Sequence, residues 1–278
     1  MDPLLITMIV LAVPIGMLVG VGAGVIGLTA WPLLVPLLLI FGGVPLHESL
    51  LSSLLVDLAI AFVLSTFYVR HQEVAVDSAY GAKLSIVAGI VALVTASLAF
   101  PVLEQFSSLF ESGSSIITLL FGIMFITQAF RMKNPTGTTH KGLKSGLFHF
   151  SGKQKDTIAY GFCILQGFLT GLIAMGGAMN IALVLMFIVG LPTLRAVGTA
   201  MVATVIMLSM TVISYLVLLQ FSLSTALLVS LYVVIGSISS YLAVTRIQNI
   251  SERKLRFTIG IVILIAAIFA TTQVYLLR

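Results

Sequence analysis

Shifting the chain by 147 residues lays one half on the other without a gap: Gly20, Gly24, Gly43, Pro45 and Tyr68 fall on Gly167, Gly171, Gly190, Pro192 and Tyr215, and Ser52 falls on Thr199. Apolar sequence tolerates most exchanges among its residues, so small residues and prolines matched at one fixed offset mark a duplicated unit. Any fold for this chain must pack two copies of one supersecondary unit.

The unit belongs in a bilayer. Hydrophobic residues fill 59% of the 278 positions, charged residues only 8%, and the mean hydropathy is +1.19, whereas a soluble domain is ~25% charged. Apolar stretches fall at about 4–41, 49–69, 79–103, 114–131, 157–190, 196–219, 223–245 and 257–277, most of them long enough for the ~20 residues of a helical span. The expected fold class is therefore an all-α integral membrane protein. Its opening, MDPLLITMIV, has an acid where a secretory signal has a basic flank and reads as a retained span. The one cysteine, Cys163, lies in an apolar run and reads as a packing residue, with no disulfide framework or thiolate metal site. A net charge of +5 reports membrane topology here rather than a nucleic-acid partner. The chain has no G-x-S-x-G, H-E-x-x-H, P-loop or spaced Cys/His cluster, so the expectation is no enzyme, no metal and no cofactor.

Two apolar stretches are too long for one span. The first, 4–41, carries Pro14, Pro32, Pro36 and the run Gly20–Gly27; its counterpart at 157–190 carries Gly176 and Gly177. Proline removes a backbone donor and glycine weakens helix, so each stretch is expected to break into two short helices or to re-enter. If both go in and come back, 13 of the 14 Lys and Arg residues fall on one side, leaving only Arg278 opposite. That satisfies the positive-inside rule with the linker 132–156 cytoplasmic and both termini outside. Equivalent loops of the halves then face opposite sides, an inverted-topology repeat that suits alternating access. The division is 1–131, a basic linker 132–156 that reads as a solvated, headgroup-facing segment, and 157–278.

Irregular backbone survives at membrane depth only where protein or a water-filled cavity satisfies it. Gly24, Gly27, Gly176 and Gly177 are thus candidates for lining a cavity where helix starts offer unpaired N–H groups to an anion; the alternative is that these glycines only let helices pack closely. Pro32 suits the first turn of the helix after one break, and Asn180, the counterpart of Leu33, would cap the other helix or offer its amide to a ligand. Ser52, Ser53 and Thr199 follow the short turns GGVPLHE and VGLPTLR, where hydroxyls either donate to an oxyanion or tie helices together. Glu48, with His47 beside it, answers Arg195 across the duplication; Arg195 either steers an anion or reports topology, and His47 and Arg195 join Asp57 as candidates for proton coupling or gating. Asp57 lies midway along a span, where an ionisable group is a functional candidate; its counterpart is the neutral Thr204. Proton coupling and a structural hydrogen bond are the two roles open to it. Tyr68 and Tyr215 read as interfacial anchors, and Trp31 as an anchor or a cavity wall.

The stretches GFLTGLIAMGGAMN, LPTLRAVGTA and GVIGLTAWPLLVPLLLIFGGVPLHESLLSS resemble the TauE/SafE sulfite-exporter family, also called toluene-sulfonate uptake permeases. The resemblance implies a secondary carrier of the bacterial cytoplasmic membrane, generally an exporter of sulfite, sulfoacetate or other sulfonates, with a proton as coupling partner. It places the family's glycine-rich turns at Gly24 and Gly27 and at Gly176 and Gly177, and its hydroxyl positions at Ser52 and Thr199. The expected partners are a small sulfur-containing anion and the lipid bilayer, and the apolar faces would permit a homodimer.

Overall fold

In hydrocarbon, backbone groups must pair within their own segment, and every regular element among the described residues is helical. A computed structural model of the chain describes residues 3–70, 76–103, 151–191, 193–219 and 221–246, with isolated helical positions at 119, 120, 123, 126, 127, 130, 257, 261, 264 and 268. The spans expected at 114–131 and 257–277 lie largely outside the described residues, as do linker positions 132–150. The first half runs α1 (Pro3–Ile26), α2 (Trp31–Pro36) continued by a π-helical turn (Leu37–Phe41), α3 (Leu46–Arg70) and α4 (Ser78–Leu103). The second runs α5 (Gly152–Ile173), α6 (Ala178–Val184) continued by a π-helical turn (Leu185–Val189), α7 (Thr193–Leu218) and α8 (Leu223–Arg246). Among the described residues, five segments are long and apolar enough to cross a membrane: Leu46–Arg70, Ser78–Ala99, Gly152–Ile173, Arg195–Leu218 and Leu223–Arg246.

The offset of 147 governs backbone detail as well as sequence. Gly27 and Ala174, at equivalent positions, both take the left-handed conformation that stops a helix, with φ of 73° and 56°. Gly43 and Gly190 do the same in the turns after the π-helical segments, with φ of 58° and 87°. Both tyrosines depart from the interfacial role expected of them. Tyr68 and Tyr215 are buried, and their hydroxyls donate to the carbonyls of Gly24 (3.4 Å) and Gly171 (3.1 Å), which are themselves counterparts. A phenol deep among helices needs a backbone acceptor, and a helix that ends in a break has carbonyls to offer.

The break in the first long stretch is shorter than its glycine run. Helix α1 continues through Pro14, Gly20, Gly22 and Gly24, and only Gly27 to Ala30 are non-helical. Gly20 and Gly24 serve packing: a Cβ on either would meet the backbone carbonyl of Gly236 or Ser240 on α8. Their counterparts Gly167 and Gly171 lie equally close to the backbone of Ala88 and Ala92 on α4. Small residues let helices approach where lipid supplies no hydrophobic drive for association. The contacts are reciprocal, since the first helix of each half packs on the fourth helix of the other. Numbers rise together along each pair, from Gly16 against Ile235 to Gly24 against Ala243, and from Gly167 against Ala88 to Gly171 against Ala96. Each pair therefore runs parallel.

Outward faces carry large apolar residues such as Val10, Phe62, Ile90, Phe168, Val217 and Leu227, whereas the buried polar groups gather on α3 and α7. Helix α5 starts five residues before the expected span, at Gly152, because Ser151 forms its cap with the N–H donating to Gln154 Oε1 (3.0 Å).

Candidate functional site: a polar pocket between two helix breaks

Both breaks end at the same place. Gly27 packs against the start of α6, where a Cβ would stand 3.2 Å from Met179 N and 3.4 Å from Ala178 C. Gly176, in the second break, faces Asp57 on α3, and a Cβ there would collide with Asp57 Oδ2. The absence of a side chain at Gly176 is what makes room for the carboxylate. Thr29, Asp57, Gly176 and Thr204 line one small pocket, closed by apolar groups that include Ile60 and Met201.

The two breaks are braced differently. In the first, Ala30 N–H donates to Asp57 Oδ1 at 2.5 Å, a bond between positions 27 residues apart that ties the break to the middle of α3. Asp57 is 6% exposed, and its other oxygen, Oδ2, has no partner. In the second, Gln166 and Thr170 on α5 both donate to the Met175 carbonyl, at 3.0 and 2.8 Å, and Asn180 Nδ2 donates to Gln166 Oε1 at 2.9 Å. Asn180 thus secures its own break, and the residue at the cap of α6 is Gly177. Gln166→Leu would remove the acceptor for the Asn180 amide and one donor to Met175. The Asn180 amide is part-buried, and losing its acceptor together with one donor to Met175 costs about 1 kcal/mol or more, so this variant is expected to unfold several degrees below wild type in a thermal melt of the purified protein.

The sequence-level candidates separate in space. Asp57 and Gly176 meet in the pocket; Gly27 packs on the start of α6, Gly177 packs against Gln166 on α5 and Met207 on α7, and Gly24 lies in the α1–α8 contact. Ser52 and Ser53 are fully buried on α3, but their hydroxyls donate to the Glu48 carbonyl (2.6 Å) and the Leu50 carbonyl (2.9 Å), so neither presents its proton to a ligand here. Thr199 Oγ1 accepts the Asp77 N–H (3.2 Å) at the start of α7. Beside it Arg195 stands 3.9 Å from Asp77, while Glu48, next to His47 at the start of α3, accepts a bond from Ser222 (2.8 Å). Trp31 is buried with its indole N–H unpartnered, which excludes a surface anchor.

Gln166 and Thr170 were missed by reading the sequence for glycines, prolines and charges. Their signal was present: two hydrogen-bonding residues four apart, hence on one helix face, inside an otherwise apolar span. Thr204 was noted only as the neutral counterpart of Asp57, yet its buried Oγ1 is unpartnered and its side chain lines the same pocket.

Long apolar helices around a buried polar discontinuity define a polytopic membrane protein built on broken helices. The family model for the sulfite exporter TauE/SafE matches residues 12–270, and the chain belongs to that family. It is accordingly a multi-pass membrane transporter of the exporter type. No curated protein and no solved structure matches the chain.

Proposed function

We propose that the chain is a secondary carrier for small sulfur-containing oxyanions, sulfite or organic sulfonates, working by alternating access in the bacterial cytoplasmic membrane. The carrying observation is the convergence of the two breaks on one pocket at the middle of α3, where Asp57 Oδ2 and Thr204 Oγ1 lack partners. Broken helices expose backbone N–H groups to an anion without a side-chain cation, and a moderate grip suits a carrier that must release its load. Gly176 on the pocket wall lets a ligand approach the backbone, and Thr29, Thr204 and Thr199 supply hydroxyls on its route. The buried carboxylate repels an anion, so the cycle needs a cation at Asp57, a proton or a metal ion.

Alternating access on this chain rests on an inverted repeat, which the contacts support without reference to charge. Glu48 at the start of α3 meets Ser222 just past the end of α7, and Asp77 just past the end of α3 meets Arg195 at the start of α7. Counterpart helices α3 and α7 then run in opposite directions. The two polar contacts sit at the two ends of α3, about 37 Å apart along 25 residues, and would alternate as gates. The same reading puts the linker 132–156 in the cytoplasm.

Ligand-dependent thermal stability of the purified protein tests the substrate class, because a ligand that binds only the folded state stabilises it in proportion to the logarithm of concentration over Kd. Sulfite, sulfoacetate and an aromatic sulfonate are expected to raise the melting temperature, while sulfate and a matched carboxylate leave it unchanged. In proteoliposomes, Gly177→Leu, whose side chain would invade the space of Gln166 and Met207, is expected to cut sulfonate flux by at least tenfold. Wild-type flux in both Gly177→Leu and Thr199→Val would place the substrate elsewhere.

A further inference from the structure

One buried carboxylate and one buried hydroxyl share a small pocket, and each lacks a partner. Asp57 Oδ1 is met by Ala30 N–H but Oδ2 by nothing; Thr204, the counterpart of Asp57 in the duplicated unit, has an equally unpartnered Oγ1. The two residues are 6% and 2% exposed. They stand on α3 and α7, the two helices that carry most of the buried polar groups, and Thr29 adds a third oxygen-bearing side chain to the lining. Buried polar atoms are normally paired, so two orphans on one cavity point to a component that pairs both.

The donor set narrows its nature. Among the described residues, every polar side chain on the pocket bears oxygen, the set carries one carboxylate, and no Lys, Arg or His lines it. Helices α1 and α5 both terminate at the adjoining breaks, and a helix C-terminus presents carbonyl oxygens and the negative end of its dipole. Unwound backbone of this kind coordinates sodium in carriers built on broken helices. A divalent ion wants more carboxylates, and among the described residues no group of three His, Cys, Asp or Glu could hold one. A proton would complete Asp57 and leave Thr204 unaccounted for. A hard monovalent cation takes both oxygens and offsets the single negative charge. Gly176 leaves the space, since a Cβ there would occupy the position facing Oδ2.

We infer that Asp57 and Thr204 hold a sodium ion between the two breaks, and that this ion is the coupling cation of the transporter. The coupling role rests on the carrier reading above; the ion site rests on the pocket alone. Sodium would also join the two halves of the cycle physically, because it is bound by one residue from each half and its site vanishes when α3 and α7 separate.

The test uses the full-length protein in nanodiscs, with NaCl exchanged against KCl and choline chloride at constant ionic strength and with binding followed by 22Na retention. Sodium, and not potassium or choline, is expected to raise the melting temperature saturably. Thr204→Val is expected to weaken sodium binding at least tenfold while leaving the sodium-free melting temperature near wild type, and Thr204→Ser to retain binding. Asp57→Asn is expected to abolish it. Gly176→Ala crowds Oδ2 from the opposite break without removing either ligand, and is expected to weaken sodium as well. The inference is overturned by equal responses to the three salts, by sodium affinity that ignores both Thr204→Val and Gly176→Ala, or by stabilisation on acidification without any sodium dependence, which would assign Asp57 to a proton only. Intact sodium binding with no sulfonate flux would instead remove the carrier reading and leave the ion site standing.

Discussion

Gly167→Leu is expected to leave almost no folded protein in the membrane. A Cβ at this position would lie against the carbonyl oxygen, carbonyl carbon and Cα of Ala88, all backbone atoms of α4, so no side-chain rotation can relieve the contact. Helix α4 would have to move away, opening the seam along Ala88, Ala92 and Ala96, which are all buried. Overpacking a well-fitted core costs about 1–3 kcal/mol, and more when backbone must shift, against a total stability of roughly 5–15 kcal/mol. Gly161 supplies the control. It lies on the same helix with nothing within 4 Å of its ideal Cβ, and Gly161→Leu is expected to behave as wild type. Size-exclusion profiles and protease resistance of the two variants in detergent decide the matter, and a monodisperse, resistant Gly167→Leu would mean that α4 and α5 do not pack along this line. Gly20→Leu is expected to repeat the failure at the counterpart seam, where a Cβ would meet the Gly236 carbonyl.

Replacing Asp57 is expected to have the largest effect on transport. Asp57→Asn keeps an oxygen to accept the Ala30 N–H and so keeps the brace on the first break. It loses the charge that recruits the coupling cation. Sulfonate flux is expected to fall by about 100-fold or more, equivalent to about 2.8 kcal/mol at 1.4 kcal/mol per tenfold, in a protein that still purifies as a folded species. Asp57→Leu removes charge and acceptor together. The Ala30 N–H is then left unpaired, at about 1–3 kcal/mol, and this variant is expected to lose stability in addition to flux. Equal stability losses in Asn and Leu, or undiminished flux in Asn, would return Asp57 to a purely structural role.

Much of the architecture was legible before any coordinate because membrane burial writes it in composition and length. Spans at 49–69, 196–219 and 223–245 correspond to α3, α7 and α8 within a few residues, since a bilayer demands long apolar helices and polar breaks between them. The two helix interruptions were legible from excess length. The second lies where Gly176 and Gly177 place it, with 174–177 non-helical; the position of the first was not legible, because glycine marks both a loose backbone and a tight interface. Gly20 and Gly24 belong to the second kind, and the first break begins at Gly27. Ala174 adopts the same left-handed turn as Gly27 although it carries a side chain, and the break starts there. Asp57 was visible by its depth, but the partners that give it meaning, Ala30 from another helix and Gly176 from the other half, are joined by tertiary packing alone. The tyrosines misled for a related reason: an aromatic with a hydroxyl suits the interface and suits equally a buried carbonyl left over at a helix end.

The exchange of first and fourth helices between halves also has a consequence in time. Helix α1 leaves the ribosome before α8, yet the surface that accepts Gly20 is Gly236 on α8, which lies 216 residues later. At translation rates of 5–20 residues per second, α1 would wait roughly 10–40 s for its partner, with its narrow glycine groove filled only by acyl chains. Its counterpart α5 finds α4 already made. The two seams are near-identical in form and opposite in history, so arrested or truncated synthesis should strand α1 while the centre of the molecule is already assembled.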